Sequence, residues 1–178
     1  MLWALVILCL LFLVGGLIFL FDAAFGGLDF ASSQMAADAV AKIIRDRYLE
    51  KENFYDLGSC RGKFAIKLAK ILPGLQIIGI DNSPLRVFSS KLKSIFLKNI
   101  TFAYGNIFHT DVSLANIVYL YLPQELMPDL QAKLQKELKR GALVISNSVS
   151  FPNWQASSIV NLPNDTSITK KLFIYVKE

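Results

Sequence analysis

The sequence predicts an α/β fold: a mostly parallel sheet covered by helices, with a C-terminal antiparallel hairpin and one long apolar helix ahead of it. Three observations predict it. From Asn53 onward, short apolar runs alternate with segments of helical period, the mark of parallel strands joined by right-handed crossovers. Near the end, "SSIVNL" and "KKLFIYVKE" flank only the turn-rich "PNDTS", so these two runs pair as a hairpin with no helix between them. At the start, "MLWALVILCLLFLVGGLIFLF" runs over 1–21 without one charged side chain.

As a helix, that opening run is roughly 30 Å long, the thickness of a bilayer's hydrocarbon core. It reads as a transmembrane anchor over 1–21. A cleaved signal peptide is the competing reading, but it needs a basic start and an apolar run of about 7–15 residues. The basic start is missing and the run is longer. A buried core helix is the third reading. Residues 22–52 then form a linker and an amphipathic helix: "DAAFGGLDFASSQ" is rich in small residues, and "MAADAVAKIIRDRYL" places Met35, Ala39, Ile43 or Ile44, and Leu49 near helical spacing.

The globular domain occupies 53–178. Its first strand is the apolar run at 54–57, and a helical pattern over 61–72 is stopped by Pro73 and Gly74 before the strand "QIIGI". Ser83 and Pro84 open the next helix, with Leu85, Phe88, Leu92 and Ile95 at the intervals of one helix face. "ITFAY" and "NIVYLYL" follow as strands, the second apolar enough to be covered on both faces. Pro128 opens a helix carrying Leu130, Leu134 and Leu138, Gly141 caps it, and "ALVIS" is the next strand. No internal repeat or low-complexity segment interrupts the series.

The chain carries a formal net charge of +5, and every Lys and Arg lies at Lys42 or beyond. A basic domain behind an apolar anchor suits an anionic bilayer surface. Nucleic acid is disfavoured, since the lysines are spread over several helices with no aromatic stacking platform among them. A merely solvated basic surface is the plainer reading. Asp22, Asp29 and Asp38 precede any cation, while Lys42, Arg45 and Arg47 tip the orientation toward a cytoplasmic domain. Cys9 in the anchor and Cys60 in a turn do not pair, so there is no disulfide framework, in keeping with a reducing compartment.

The chemistry concentrates at "DLGSCRGK". A phosphate-binding Walker loop needs four residues between its glycines and a Ser or Thr after the lysine, but three residues separate Gly58 from Gly62, and Phe64 follows Lys63. A dinucleotide fingerprint needs glycines where Cys60 and Lys63 stand. What fits is acidic-x-Gly-x-Gly-x-Gly, with Asp56, Gly58 and Gly62 matching and Cys60 at the middle glycine. About one βαβ unit later "GID" places Asp81 at a strand's carboxyl end, where a carboxylate either accepts from two ribose hydroxyls or caps the next helix, a role Ser83 can share. Asn106 follows the third strand. His109, the single histidine, sits in the polar turn "HTD" and is read as a solvated loop residue rather than a metal ligand.

This loop resembles the first motif of class I S-adenosylmethionine-dependent methyltransferases. More closely, "NIVYLYLPQELMPDLQAKLQKELKRGALVISNSVSFPNW" together with the anchor and the loop is similar to the membrane-anchored protein lysine methyltransferases. That family includes mitochondrial enzymes acting on the adenine nucleotide translocase and on ATP synthase, at its c-type ring protein, and prokaryotic relatives. The resemblance covers most of 53–175 and rests on Pro123-Gln124, the Leu-rich helix, the strand at 143–146, and Phe151, Pro152 and Trp154. It implies a Rossmann-like class I methyltransferase sheet, S-adenosyl-L-methionine as cofactor, no metal, and the bilayer and a membrane protein as partners. It further implies cofactor contacts at Asp56, Gly58, Ser59, Cys60, Gly62, Asp81, Asn82 and Asn106, and acceptor-side roles for Tyr121, Pro123 and Trp154. The same aromatic and proline residues at strand ends also read as packing. Two other functions stay open: a lipid or quinone methyltransferase, and a catalytically degenerate binding module, which Cys60-Arg61 keeps in view because the family shows glycine and an acidic residue there.

Overall fold

A computed structural model of the chain describes residues 2–25, 32–47, 52–162 and 170–178. It opens with helix α1 (Leu2–Phe25). Among the described residues no helix is long and apolar enough to cross a membrane. Met1 and the side chains at 18, 19 and 21–25 lie outside the described residues, so the expected span over 1–21 falls partly outside them.

Helix α2 (Gln34–Arg47) buries Ala36, Ala37, Val40, Ala41 and Ile44, while the expected Met35, Ala39 and Ile43 flank that stripe partly buried. Leu49 lies outside the described residues. Ser33 caps the helix, its Oγ accepting from Ala36 N at 3.0 Å. Small residues on the buried face let α2 lie close on helix α3 (Lys63–Ile71), to which Lys67 ties it through Gln34 O at 2.9 Å and Asp38 at 3.2 Å.

Seven strands form one sheet: β1 (Asn53–Leu57), β2 (Gln76–Asp81), β3 (Ile100–Tyr104), β4 (Ile117–Leu120), β5 (Leu143–Asn147), β6 (Ser158–Asn161) and β7 (Lys171–Val176). Their order is β3-β2-β1-β4-β5-β7-β6. The first five run parallel, and β7 pairs antiparallel with both β5 and β6. The hairpin expectation holds, with the later strand inserted between β5 and the edge strand β6; the "PNDTS" turn lies outside the described residues. One face packs Phe54, Ile77, Ile117, Tyr119, Leu143 and Ile145 under α2 and α3. The other packs Tyr55, Leu57, Val118, Leu120, Val144 and Tyr175 under helix α5 (Met127–Glu137). Strand alternation divides the apolar runs between two cores.

Helix α4 (Pro84–Lys93) departs from the pattern its spacing suggests. It buries Arg86, Val87 and Ser90, and leaves Phe88 and Leu92 exposed. Its inner face approaches the loop after β1 at Ser90, whose Oγ donates to Cys60 O at 3.3 Å. A helix period shows that one face is apolar without showing which side the core lies on.

Candidate active site

The strand order locates the crevice. β1 lies between β2 and β4, the point where the chain's connections turn in opposite directions and leave a cleft beyond the strands' carboxyl ends. The loop 58–62 runs along this edge. Gly58, Cys60 and Gly62 all take left-handed backbone angles, with φ of 81°, 49° and 70°. A Cβ on Gly62 would also lie 2.6 Å from Phe102 Cζ and 2.8 Å from Ser90 Oγ, so glycine is needed there on two grounds. Cys60 takes the angle a glycine would take freely, at a cost of about 1 kcal/mol. Its N–H donates to Asp81 Oδ2 at 2.8 Å, which keeps the loop shut despite the substitution.

Asp81 ends β2 and is buried. While Oδ2 accepts from Cys60, Oδ1 accepts from Ser83 N at 2.9 Å. Ser83 Oγ in turn accepts from Arg86 N at 3.3 Å and so caps α4. The cap thus belongs to Ser83, and Asp81 joins the two loops through its two carboxylate oxygens. Asn82 beside it is exposed. Ser59, fixed by its N–H to Ile80 O at 2.8 Å, has a buried hydroxyl with no hydrogen-bond partner among the described residues. A buried hydroxyl without a partner, in the loop that Asp81 fastens, is a group that a bound cofactor would satisfy.

Asp56 sits one residue before the end of β1, buried in the strand. Loss of solvation, and then the neighbouring Asp81 charge, push its carboxyl up to about 8, so it is largely neutral at pH 7. Asn106 serves its own turn: Oδ1 accepts from Phe108 N at 2.9 Å, and its carbonyl accepts from His109 N and Thr110 N, both at 2.9 Å. Its exposed amide NH2 still faces solvent-accessible space. His109 is exposed in that turn, and among the described residues no group of metal-ligating side chains occurs.

The other side of the crevice is built from β4 and β5. The Pro123-Gln124 step and the Phe151-to-Trp154 loop come together, Gln124 Nε2 donating to Ser150 O at 3.4 Å. Pro123 starts a 3-10 turn, its carbonyl accepting from Leu126 N at 3.2 Å. Tyr121 and Trp154 are not joined in one wall. Tyr121 belongs to the buried cluster on the α2 and α3 side, whereas Trp154 packs on the α5 side against Phe151 and Tyr175, ring centroids 5.5 and 5.2 Å apart.

One group at this edge escaped the sequence reading. Tyr119, stacked on Phe64 at 3.9 Å, holds its hydroxyl 2.6 Å from Ser32 Oγ and accepts from Asn147 Nδ2 at 2.8 Å. Burial raises its pKa, with the Ser32 and Asn147 hydrogen bonds acting the other way. The segment ahead of α2 is thereby fastened to two strands at their carboxyl ends. Asn147 is fully buried and followed by Ser148 at a positive φ of 65°, a local signal of a constrained site. The only sequence cue was a Tyr and an Asn at the ends of otherwise apolar runs.

Comparison with known proteins agrees with this geometry. Over 83% of this chain and 93% of the other, the fold matches an RNA methyltransferase from Salinibacter ruber in complex with S-adenosyl-L-homocysteine, with a TM-score of 0.72 at 22% identity. By sequence, the chain is 27% identical over 141 residues to a protein-lysine N-methyltransferase from Saccharolobus islandicus, covering 77% of this chain and 83% of that protein. It is 32% identical over 126 residues to the lysine N-methyltransferase of Xenopus laevis named for the c-type subunit of ATP synthase, covering 68% of this chain and 54% of that protein, about half its length. Residues 56–158, more than half of the chain, match the ANTKMT methyltransferase domain. With more than half of its length matched by that domain, the chain is an S-adenosylmethionine-dependent methyltransferase and belongs to the ANTKMT methyltransferase domain family.

Proposed function

We propose that this methyltransferase is anchored in a membrane by α1 and transfers methyl groups to lysine side chains of a membrane protein, its catalytic domain facing the cytoplasm. The observation that carries the lysine reading is the likeness to the Saccharolobus protein-lysine N-methyltransferase across 77% of this chain; the Xenopus relative's named substrate, a part of ATP synthase, supports a membrane protein as acceptor. The anchor is supported by the length of α1, 24 residues or about 36 Å, and by the exposure of its apolar side chains from Leu2 to Leu17. Lys42, Arg45 and Arg47, the first cations after it, support the cytoplasmic side.

When bound, S-adenosylmethionine supplies a sulfonium methyl that is already electrophilic. The chain's own residues hold and align. Ser59, Asp81 and Asn82 are assigned to the ribose and amino-acid ends, with Asp56, Gly58, Cys60 and Gly62 shaping the loop and Asn106 at the adenine end. On the acceptor side the residues must keep an amine neutral and in line. Apolar and aromatic surroundings lower a lysine's pKa by withholding solvation from its charged form, and Tyr121, Pro123 and Trp154 are assigned to the acceptor side, with Tyr121 on the α2 and α3 face of the sheet and Trp154 on the α5 face.

The test is incubation of the full-length protein with methyl-labelled S-adenosylmethionine and membranes. Label recovered as methyllysine after hydrolysis is the expected result; label in the organic lipid extract instead points to a lipid or quinone acceptor and sinks the lysine reading. Release of the protein by alkaline carbonate would remove the anchor.

A further inference from the structure

The outward face of α4 is apolar, and it is the one place in the globular domain where exposed apolar side chains gather among the described residues. There, the large exposed hydrophobics outside α1 are Phe88, Leu92, Ile95, Phe96, Tyr104, Leu114 and Ile159. The first four fall within nine consecutive residues, and Phe96 is 95% exposed. Single exposed apolar residues are ordinary, whereas a contiguous group marks a contact surface. At 100° per residue, Phe88 and Leu92 lie on the side of α4 opposite the buried Arg86 and Ser90. The stripe is therefore not a frayed edge of the core.

Charge identifies what the stripe faces. Lys91 and Lys93 flank Leu92 on either side, and Lys98 follows Phe96, all three exposed. Residues 57–110 contain eight Lys and Arg and a single acid, the buried Asp81. This segment carries a formal +7, which leaves the rest of the chain at −2. A second copy of the same face would set lysine against lysine, and α1 has no anionic group from Leu2 to Phe21 to meet them. A convex helix face with an apolar centre and cationic flanks is complementary to a bilayer with acidic headgroups, aromatic and aliphatic groups entering at the headgroup boundary and lysines meeting phosphates and carboxylates.

We propose that the outward face of α4 (Phe88, Leu92, Lys91 and Lys93) and the turn after it (Ile95, Phe96 and Lys98) form an interfacial docking surface for an anionic phospholipid bilayer. α4 begins just after Asp81, so a bilayer held there lies beside the cofactor loop instead of at the far end of the domain. This contact is separate from α1.

The test is hydrogen–deuterium exchange of the full-length protein in nanodiscs of phosphatidylcholine alone and of phosphatidylcholine mixed with phosphatidylserine, and in detergent. Exchange over 84–98 is expected to slow by roughly threefold or more with phosphatidylserine and to recover at high salt. The pair Phe88→Ser and Phe96→Ser should abolish the slowing while leaving thermal unfolding and S-adenosylhomocysteine affinity unchanged, because both side chains are exposed. Lys91→Gln with Lys98→Gln should weaken it with the apolar stripe intact. Equal exchange in all three media overturns the proposal. So does slowing that tracks protein concentration, which means a second copy, or slowing already complete in detergent, which means α1 or another part of the chain covers the face. Capture by neutral nanodiscs reports α1, and phosphatidylserine-dependent slowing reports α4, so the two readings fail separately.

Discussion

The two sides of the crevice are built in different ways. On the cofactor side, the loop 58–62 and the end of β2 are held by contacts between chain segments only one βαβ unit apart: Cys60 N and Ser83 N on the two oxygens of Asp81, and Gly58 N and Ser59 N on Ile80 O. On the acceptor side, Tyr119 gathers Ser32 from ahead of α2 and Asn147 from the end of β5, 87 and 28 residues away. One side is fixed within a single βαβ unit, largely through backbone N–H groups, whereas the other joins side chains and reaches back 87 residues to Ser32. Damage to each should therefore read out differently, in cofactor affinity for the first and in acceptor turnover for the second.

The largest break is Asp81→Ala. It removes the acceptor of two backbone N–H groups, each a charge-assisted bond of about 1.5–3 kcal/mol, and with them the join between the two loops at the cleft. Cofactor affinity should fall by about a hundredfold or more, measured by calorimetric titration with S-adenosylhomocysteine. An affinity within threefold of the parent, on a folded protein, would show that the loop closes without this carboxylate.

Asp56 tests the same side through pH. Its folded pKa of about 8 stands above the ordinary 3.8, so the folded state retains a proton that the unfolded chain releases across that window. The sign follows: the stability contributed is complete below pH 3.8 and is lost as pH rises through 8. Asp56→Asn keeps the neutral shape, and should flatten the decline in melting temperature between pH 6 and 9, with a gain of order 2 kcal/mol at the alkaline end. Parallel curves for the two proteins would mean Asp56 ionises freely in the fold.

Tyr119→Phe breaks the other side. The ring and its stack on Phe64 remain, but Ser32 and Asn147 lose their shared partner. The net loss of about 1–2 kcal/mol should appear as roughly a tenfold fall in methyl transfer with cofactor affinity held within twofold. If affinity falls in step with turnover, the two sides are one cooperative unit and the contrast between them dissolves.

This contrast also explains what the sequence disclosed. The Asp-x-Gly loop, Pro73-Gly74, Ser83-Pro84 and Gly141 are local devices, each set by a backbone angle, a cap or a missing donor, and they marked β1, α3, β2, α4 and β5 in order. That Ser83 rather than Asp81 caps α4 needed coordinates. Ser32, Tyr119 and Asn147 could not be grouped from a linear reading, since nothing local links positions so far apart. Trp154 was legible as part of a Phe-Pro-x-Trp spacing, but its packing on Phe151 and Tyr175 depends on where β7 inserts. The α4 stripe was visible as a periodicity, and its outward direction was not, because Ser90 and the loop at Cys60 decide which face turns inward.

The smallest effect belongs to Cys60→Gly, and it bears most directly on the loop. Three terms compete. A glycine at φ 49° removes the left-handed penalty of about 1–2 kcal/mol, while its freer unfolded chain costs about 0.5–1 kcal/mol. The N–H to Asp81 and the carbonyl that accepts from Ser90 are main-chain groups and survive the change. The variant should accordingly gain no more than about 1 kcal/mol in stability, with cofactor affinity and turnover within threefold of the parent. A large gain in affinity would mean that the cysteine side chain, rather than the loop's backbone, limits approach to the cofactor; a large loss would mean that the thiol itself makes a contact no glycine can replace.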